Sequence, residues 1–121
     1  MRKETENWWK QAVKDMESAE KIMELGEYYV SAFLSQQAVE KALKALMIQQ
    51  IGSFPRIHDV VELSRRVNAP SKIIELCAKI NPAYTATRYP DVASDFDKGE
   101  VEEIIHSAKE VLKWTKKKLR F

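Results

Sequence analysis

The chain has 121 residues, 45% of them hydrophobic and 31% charged, a size and balance that fit one globular domain spanning 1–121 and exclude two. With only 3 glycines and 4 prolines it is too poor in turn formers for a collagen-like, linker-dominated or many-turned all-β chain, so helices are expected. Lys+Arg 20 against Asp+Glu 18 leaves a formal charge of +2, too near balance either to indicate nucleic acid as a partner or to exclude it.

The first residues, Met1-Arg2-Lys3-Glu4-Thr5-Glu6, are charged where a secretory signal would be apolar, so no export signal is read there. From Glu4 to Leu25, Trp8, Ala12, Met16, Ala19 and Met23 recur at helical spacing, and Gly26 ends this first helix. A second helix, from about Glu27 to Ile51, carries one apolar seam through Val30, Phe33, Leu34 and Ile48 and another through Ala32, Val39, Leu43 and Met47. A helix apolar over most of its girth belongs in the middle of a bundle. Its most apolar part, Val39 to Ile51, is broken by Glu40, Lys41, Lys44, Gln49 and Gln50, well short of the roughly 18 apolar residues that cross a bilayer. A soluble protein with no membrane partner is expected.

Gly52-Ser53-Phe54-Pro55 stops the second helix. A short third helix is predicted from His58 or Asp59 to about Val67, with Asp59 able to cap its first N–H groups. A fourth runs from Ser71 to about Ile80, carrying Ile73, Ile74, Cys77 and Ile80 inward before Asn81-Pro82 breaks the pattern. Cys77, the single cysteine, has no partner for an intramolecular disulfide, which fits a reducing cytoplasm. Pro82 to about Phe96 has no clear period and is expected to be a long connection, and connections beyond about 12 residues in small domains are functional or disordered. The last helix is predicted from about Asp97 to Leu119 on the stripe Val101, Ile104, Ile105, Ala108, Val111, Leu112 and Leu119. Together these elements predict an all-α, antiparallel up-and-down bundle of four to five helices.

No metal or cofactor is predicted: His58 and His106 lack helical ligand spacing, and the scattered glycines build none of the phosphate-cradling or nucleophile-elbow motifs. His106, one turn from Glu102 and Glu110, reads as an exposed histidine between carboxylates. The basic run Lys113-Trp114-Thr115-Lys116-Lys117-Lys118-Leu119-Arg120 could contact nucleic acid. Set against Asp95, Asp97, Glu100, Glu102 and Glu103 at the other end, it is better read as the complement of a helix dipole.

The most specific local signal is Arg88-Tyr89-Pro90-Asp91, where Pro90 stiffens the chain and extends Tyr89. Arg88 could bind a phosphate bidentately, Tyr89 could stack on a base, and Asp91 could orient Arg88 or accept a proton; otherwise the group only braces a turn. Arg56-Ile57-His58-Asp59 is a second polar knot, in which His58 either braces a loop or acts as acid, base or phosphate ligand facing the Arg88 segment. Gln36, Gln37, Glu40, Lys41 and Lys44 lie along the central helix, where some must sit near its apolar seams and lone polar groups are costly; the alternative for Glu40 with Lys44 is a simple surface pair. Adjacent Trp8 and Trp9, with the doubly apolar second helix, suggest more apolar face than one bundle covers and hence a homodimer.

Trp9 to Ala19, Gln36 to Leu46, His58-Asp59 to Leu63 and Arg88-Tyr89-Pro90-Asp91 together resemble the HEPN domain family over nearly the whole chain. The resemblance implies a helical bundle that pairs into a homodimer and serves in the cytoplasm beside a small nucleotidyltransferase, often as a toxin–antitoxin pair. Many members look like metal-independent ribonucleases carrying an R-x4-6-H motif, and no arginine of this chain is followed by a histidine at that spacing. Some are silenced when the nucleotidyltransferase adds AMP to a tyrosine; Tyr89 is the nearest analogue by position. The reading is therefore a HEPN subunit that binds nucleotide or RNA phosphate through Arg88, Tyr89, Asp91, His58 and Arg56. The alternatives are a ribonuclease using Arg88 and His58 as catalytic residues, and a non-catalytic assembly adaptor.

Overall fold

The computed structural model describes residues 2–88 and 96–120, with side chains up to residue 86 in the first segment. Every regular element among them is an α-helix: α1 (Lys3–Glu24), α2 (Tyr28–Ile51), α3 (Val60–Arg66), α4 (Ser71–Ile80), α5 (Pro82–Arg88) and α6 (Lys98–Leu119). No helix among these residues is long and apolar enough to cross a membrane.

The stripe that makes α1 amphipathic is buried as Thr5, Trp9, Ala12, Met16 and Ala19. The predicted face is displaced at its start, because the helical repeat running back from Ala12 passes through Trp9 and Thr5 and leaves Trp8 on the flank. Ser31 Oγ donates to the Ala19 carbonyl at 2.7 Å and Lys41 meets Asp15 at 2.7 Å, so α2 runs antiparallel to α1. Lys109 pairs with Glu20 across α6 and α1 at 3.5 Å, and Gln49 of α2 donates to the Lys118 carbonyl of α6 at 3.3 Å. Hence α2 and α6 point the same way, and α3 to α5 form the returning leg between them.

As its doubly apolar pattern requires, α2 is central, and Ala38, Val39, Ala42, Leu43, Ala45 and Leu46 are wholly buried. Gly52, in the left-handed region at φ 85°, donates its N–H to the Ile48 carbonyl at 2.9 Å and closes the helix. Of the apolar surface that suggested a homodimer, Trp9 lies in the core and α2 is packed by the other helices, while Trp8 is only partly buried and Leu25, Tyr29 and Ile51 are exposed.

Asp59 caps α3 by accepting from Val61 N at 2.9 Å and Glu62 N at 3.2 Å. Its Oδ1 also accepts from Asn81 Nδ2 at 3.1 Å, while Asn81 Oδ1 accepts from Val60 N at 3.0 Å. Asn81 thus clasps the α3–α4 hairpin at its base. Cys77 is buried there, and burial pushes its thiol up to about 12.

The predicted connection from Pro82 onward is corrected by α5. Proline suits the first position of a helix, where its missing N–H would have no helical acceptor, and Tyr84 N donates to the Asn81 carbonyl at 3.2 Å. Ala83, fully buried, fixes this short helix on the bundle. The start of α6 is capped by Asp97, which accepts from Glu100 N at 2.8 Å; Asp95 of the predicted acidic cluster lies outside the described residues.

Candidate functional site

A helix packed on most sides leaves little water for its polar residues, so those of α2 must find partners inside the protein. Gln36, Glu40 and Lys44 follow one another at four-residue steps, which stacks them on one face, and all three are buried. Lys44 Nζ meets Glu40 Oε2 at 2.9 Å, with side-chain exposures of 5% and 6%. This overturns the surface-pair alternative: the face that carries them is roofed by the chain that follows Gly52.

That roof is aromatic. After Gly52 turns the chain back, Phe54 meets Trp8 of α1 edge to face, with ring centroids 4.7 Å apart. The Lys44 ammonium lies 5.2 Å from the Phe54 ring centre and 5.9 Å from that of Trp8, inside cation–π range. Trp8 therefore shields a buried charge.

Glu40 is the hub of the site. Besides Lys44 it accepts from Gln36 Nε2 at 3.1 Å, and its two oxygens lie 3.2 and 3.1 Å from His58 Nδ1. Burial would push the Glu40 carboxyl up; hydrogen bonds from Lys44, Gln36 and His58, with the Lys44 charge, outweigh it and hold the carboxyl below its ordinary value. An ionised carboxylate only accepts, so His58 Nδ1 is the donor. The second amide hydrogen of Gln36 serves the His58 carbonyl at 3.1 Å, and Gln36 Oε1 accepts from Gln37 at 2.8 Å. One glutamine thus fixes both the backbone of His58 and the carboxylate that its ring engages.

The outer part of His58 faces solvent, its side chain 50% exposed. Its ring stacks on Tyr84 of α5, with centroids 4.6 Å apart and planes inclined by 14°, and Tyr84 in turn lies 6.5 Å from Phe33 of α2. With Nδ1 turned to a buried, charged support and the ring half exposed, the opposite edge of the ring, which carries Nε2, is the side toward solvent.

Of the residues singled out in the sequence, His58 is at this site and Arg56 is exposed two positions before it. The backbone of Arg88 ends α5, one helical turn beyond the Tyr84 on which His58 stacks. Its side chain, and Tyr89 and Asp91 entirely, lie outside the described residues. His106 is exposed on α6, away from this group.

A model of the HEPN domain family matches residues 5–119. The chain belongs to the HEPN family. Among solved structures, this HEPN chain is similar to TT1696 from Thermus thermophilus, with a TM-score of 0.88 and 27% identity, covering 97% of this chain and 99% of that one. It is also similar to ST0689, described as an archaeal HEPN homologue, with a TM-score of 0.81 and 34% identity over 95% of this chain and 97% of the other. A HEPN domain protein from Thermotoga maritima, TM0613, shares the fold at a TM-score of 0.72 and 23% identity, covering 94% and 98% of the two chains. No curated protein matches the chain.

Sequence reasoning misses Glu40 as the centre of this HEPN protein's site. The signal is available: a helix assigned to the middle of the bundle has no solvated face on which Gln36, Glu40 and Lys44 could form an ordinary surface stripe. Tyr84, placed by its sequence in a connection, has nothing there to align it with His58.

Proposed function

We propose that this HEPN protein binds nucleotide or RNA phosphate beside His58, and that it works in the cytoplasm as a homodimeric subunit with a small nucleotidyltransferase in a toxin–antitoxin type pair. The observation that carries the binding reading is the outward Nε2 of a histidine whose other nitrogen is anchored 3.1 Å from a buried carboxylate. An exposed imidazole held this rigidly gives up little freedom when it contacts a ligand. Tyr84 fixes the ring plane, Arg56 is exposed nearby, and α5 leads into the Arg88-Tyr89-Pro90-Asp91 segment that could supply a guanidinium and a second aromatic ring.

Isothermal titration with 5′-AMP and with a short single-stranded RNA tests this reading. Saturable binding is expected, weakened about ten- to a hundredfold by His58→Ala, the loss that follows from removing one hydrogen bond to a charged group. Binding that is absent, or unchanged by His58→Ala and Arg88→Ala, overturns it and favours a non-catalytic adaptor. The partner reading is tested by affinity capture of the tagged chain from its host: repeated recovery without a nucleotidyltransferase counts against it. Light scattering at micromolar concentration tests the dimer, which a monomeric mass refutes.

A second reading, metal-independent RNA cleavage, is favoured by the same Glu40–His58 pair, since a carboxylate behind an imidazole is an arrangement that moves protons. In this reading His58 transfers the proton and Arg88 stabilises the charged phosphorane. Labelled RNA incubated in chelator would be cut by the native chain and not by His58→Ala; equal cleavage by both removes the proposal.

A further inference from the structure

The two nitrogens of His58 differ in their surroundings, and this difference constrains the site beyond the phosphate-binding reading on which the inference partly rests. Nδ1 faces both oxygens of Glu40 at 3.2 and 3.1 Å. Glu40 is itself engaged by Lys44 at 2.9 Å and Gln36 at 3.1 Å, and has no proton to give. Which ring nitrogen of a histidine carries the proton is set by the partner of the other nitrogen. We propose that the Lys44–Glu40 pair is a positioning device that locks neutral His58 as the Nδ1–H tautomer, so that Nε2 is the proton-accepting atom of the site and a phosphate enters only with uptake of one proton there.

A neutral Nδ1–H imidazole presents a lone pair outward, which repels a phosphate oxygen; after Nε2 gains a proton the same atom donates to it. Among the described residues, the charged and titratable groups around the ring are Glu40 and Lys44 from α2, Tyr84 from α5, Arg56 two positions before it, and the neighbouring Asp59, whose carboxylate is occupied in capping α3 and holding Asn81. Among these, only Glu40 makes a hydrogen bond to the ring. Glu40 is therefore a positioning residue, acting on a ligand through His58.

Two measurements on the full chain test this. Nitrogen-15 spectra of histidine-labelled protein at alkaline pH, where the ring is neutral, should show Nδ1 of His58 carrying hydrogen and Nε2 bare, the less common form of a free histidine side chain. Glu40→Gln should abolish that preference, because a glutamine can donate to Nδ1 as well as accept from it. An Nε2–H tautomer in the native chain overturns the positioning role, whatever the variant does. Titration with inorganic phosphate and with 5′-AMP from acid to alkaline pH should then show affinity falling toward alkaline pH, by up to about tenfold per pH unit. Affinity independent of pH overturns proton-coupled entry. Failure to bind either phosphate overturns it together with the reading of the preceding section, while the tautomer assignment stands or falls on its own spectrum.

Discussion

Two lysine–carboxylate pairs lie less than a turn apart on α2 and do different work. Lys41 reaches across to Asp15 of α1 at 2.7 Å, with side chains 23% and 11% exposed and Gln11 adding a bond to Asp15 at 3.3 Å. Lys44 stays on its own helix, meeting Glu40 at 2.9 Å beneath Trp8 and Phe54. The first pair joins two helices at the margin of the core, where water still screens it. The second has surrendered its water, and Glu40 turns its remaining acceptor capacity to Gln36 and His58. The same two residue types serve as a strap in one place and as the foundation of a surface group in the other; burial makes the difference.

The comparison breaks most visibly at Lys44. Lys44→Met leaves Glu40 as a buried charge without its main counter-ion and is expected to cost about 3–5 kcal/mol in urea unfolding, whereas removing both charges in Glu40→Met/Lys44→Met should recover most of that loss. A double variant as unstable as the single one would show that the pair itself, and not the orphaned charge, holds the bundle.

Acid sharpens the same contrast. Because the folded protein holds the Glu40 carboxyl below its ordinary value of 4.5, its contribution to stability is fully present above that pH and is lost as pH falls through the lower, folded value. Unfolding measured from neutral pH downward should show this fall in the native chain and a shallower one in Glu40→Gln. Parallel curves would mean that Glu40 is not held charged by its neighbours.

Phe54→Leu opens the roof over Lys44 while keeping an apolar side chain. It should cost about 1 kcal/mol, the scale of one aromatic pair with a cation–π contact, and should make stability more sensitive to salt. The smallest effect is expected at the strap: Lys41→Ala should cost about 0.5–1 kcal/mol, as partly exposed pairs do, and less in high salt. A loss at Lys41 as large as at Lys44 would erase the distinction between the two regions.

Much of the fold is legible in the sequence because long helices repeat their signal. The stripe of α6, the closing Gly26 and Gly52, the cap at Asp59 and the span of α4 are local features that the structure reproduces. Where only seven residues carry the pattern, as in α5, a proline that begins a helix reads as one that ends it. At the site, His58 can be singled out as a histidine off any regular face, but its partners come from α2 and α5 and share no sequence spacing with it.

The order of apolar and polar residues determined an all-helical bundle with α2 at its centre, because periodicity and capping act between neighbours in the chain. Tertiary structure alone decided that Glu40 and Lys44 are buried, that Trp8 covers them while Trp9 enters the core, and that His58 turns one nitrogen inward. Those outcomes depend on which surfaces lose water when distant segments meet, and that desolvation, rather than the identity of the residues, converts an ordinary lysine–glutamate pair into the support of a candidate site.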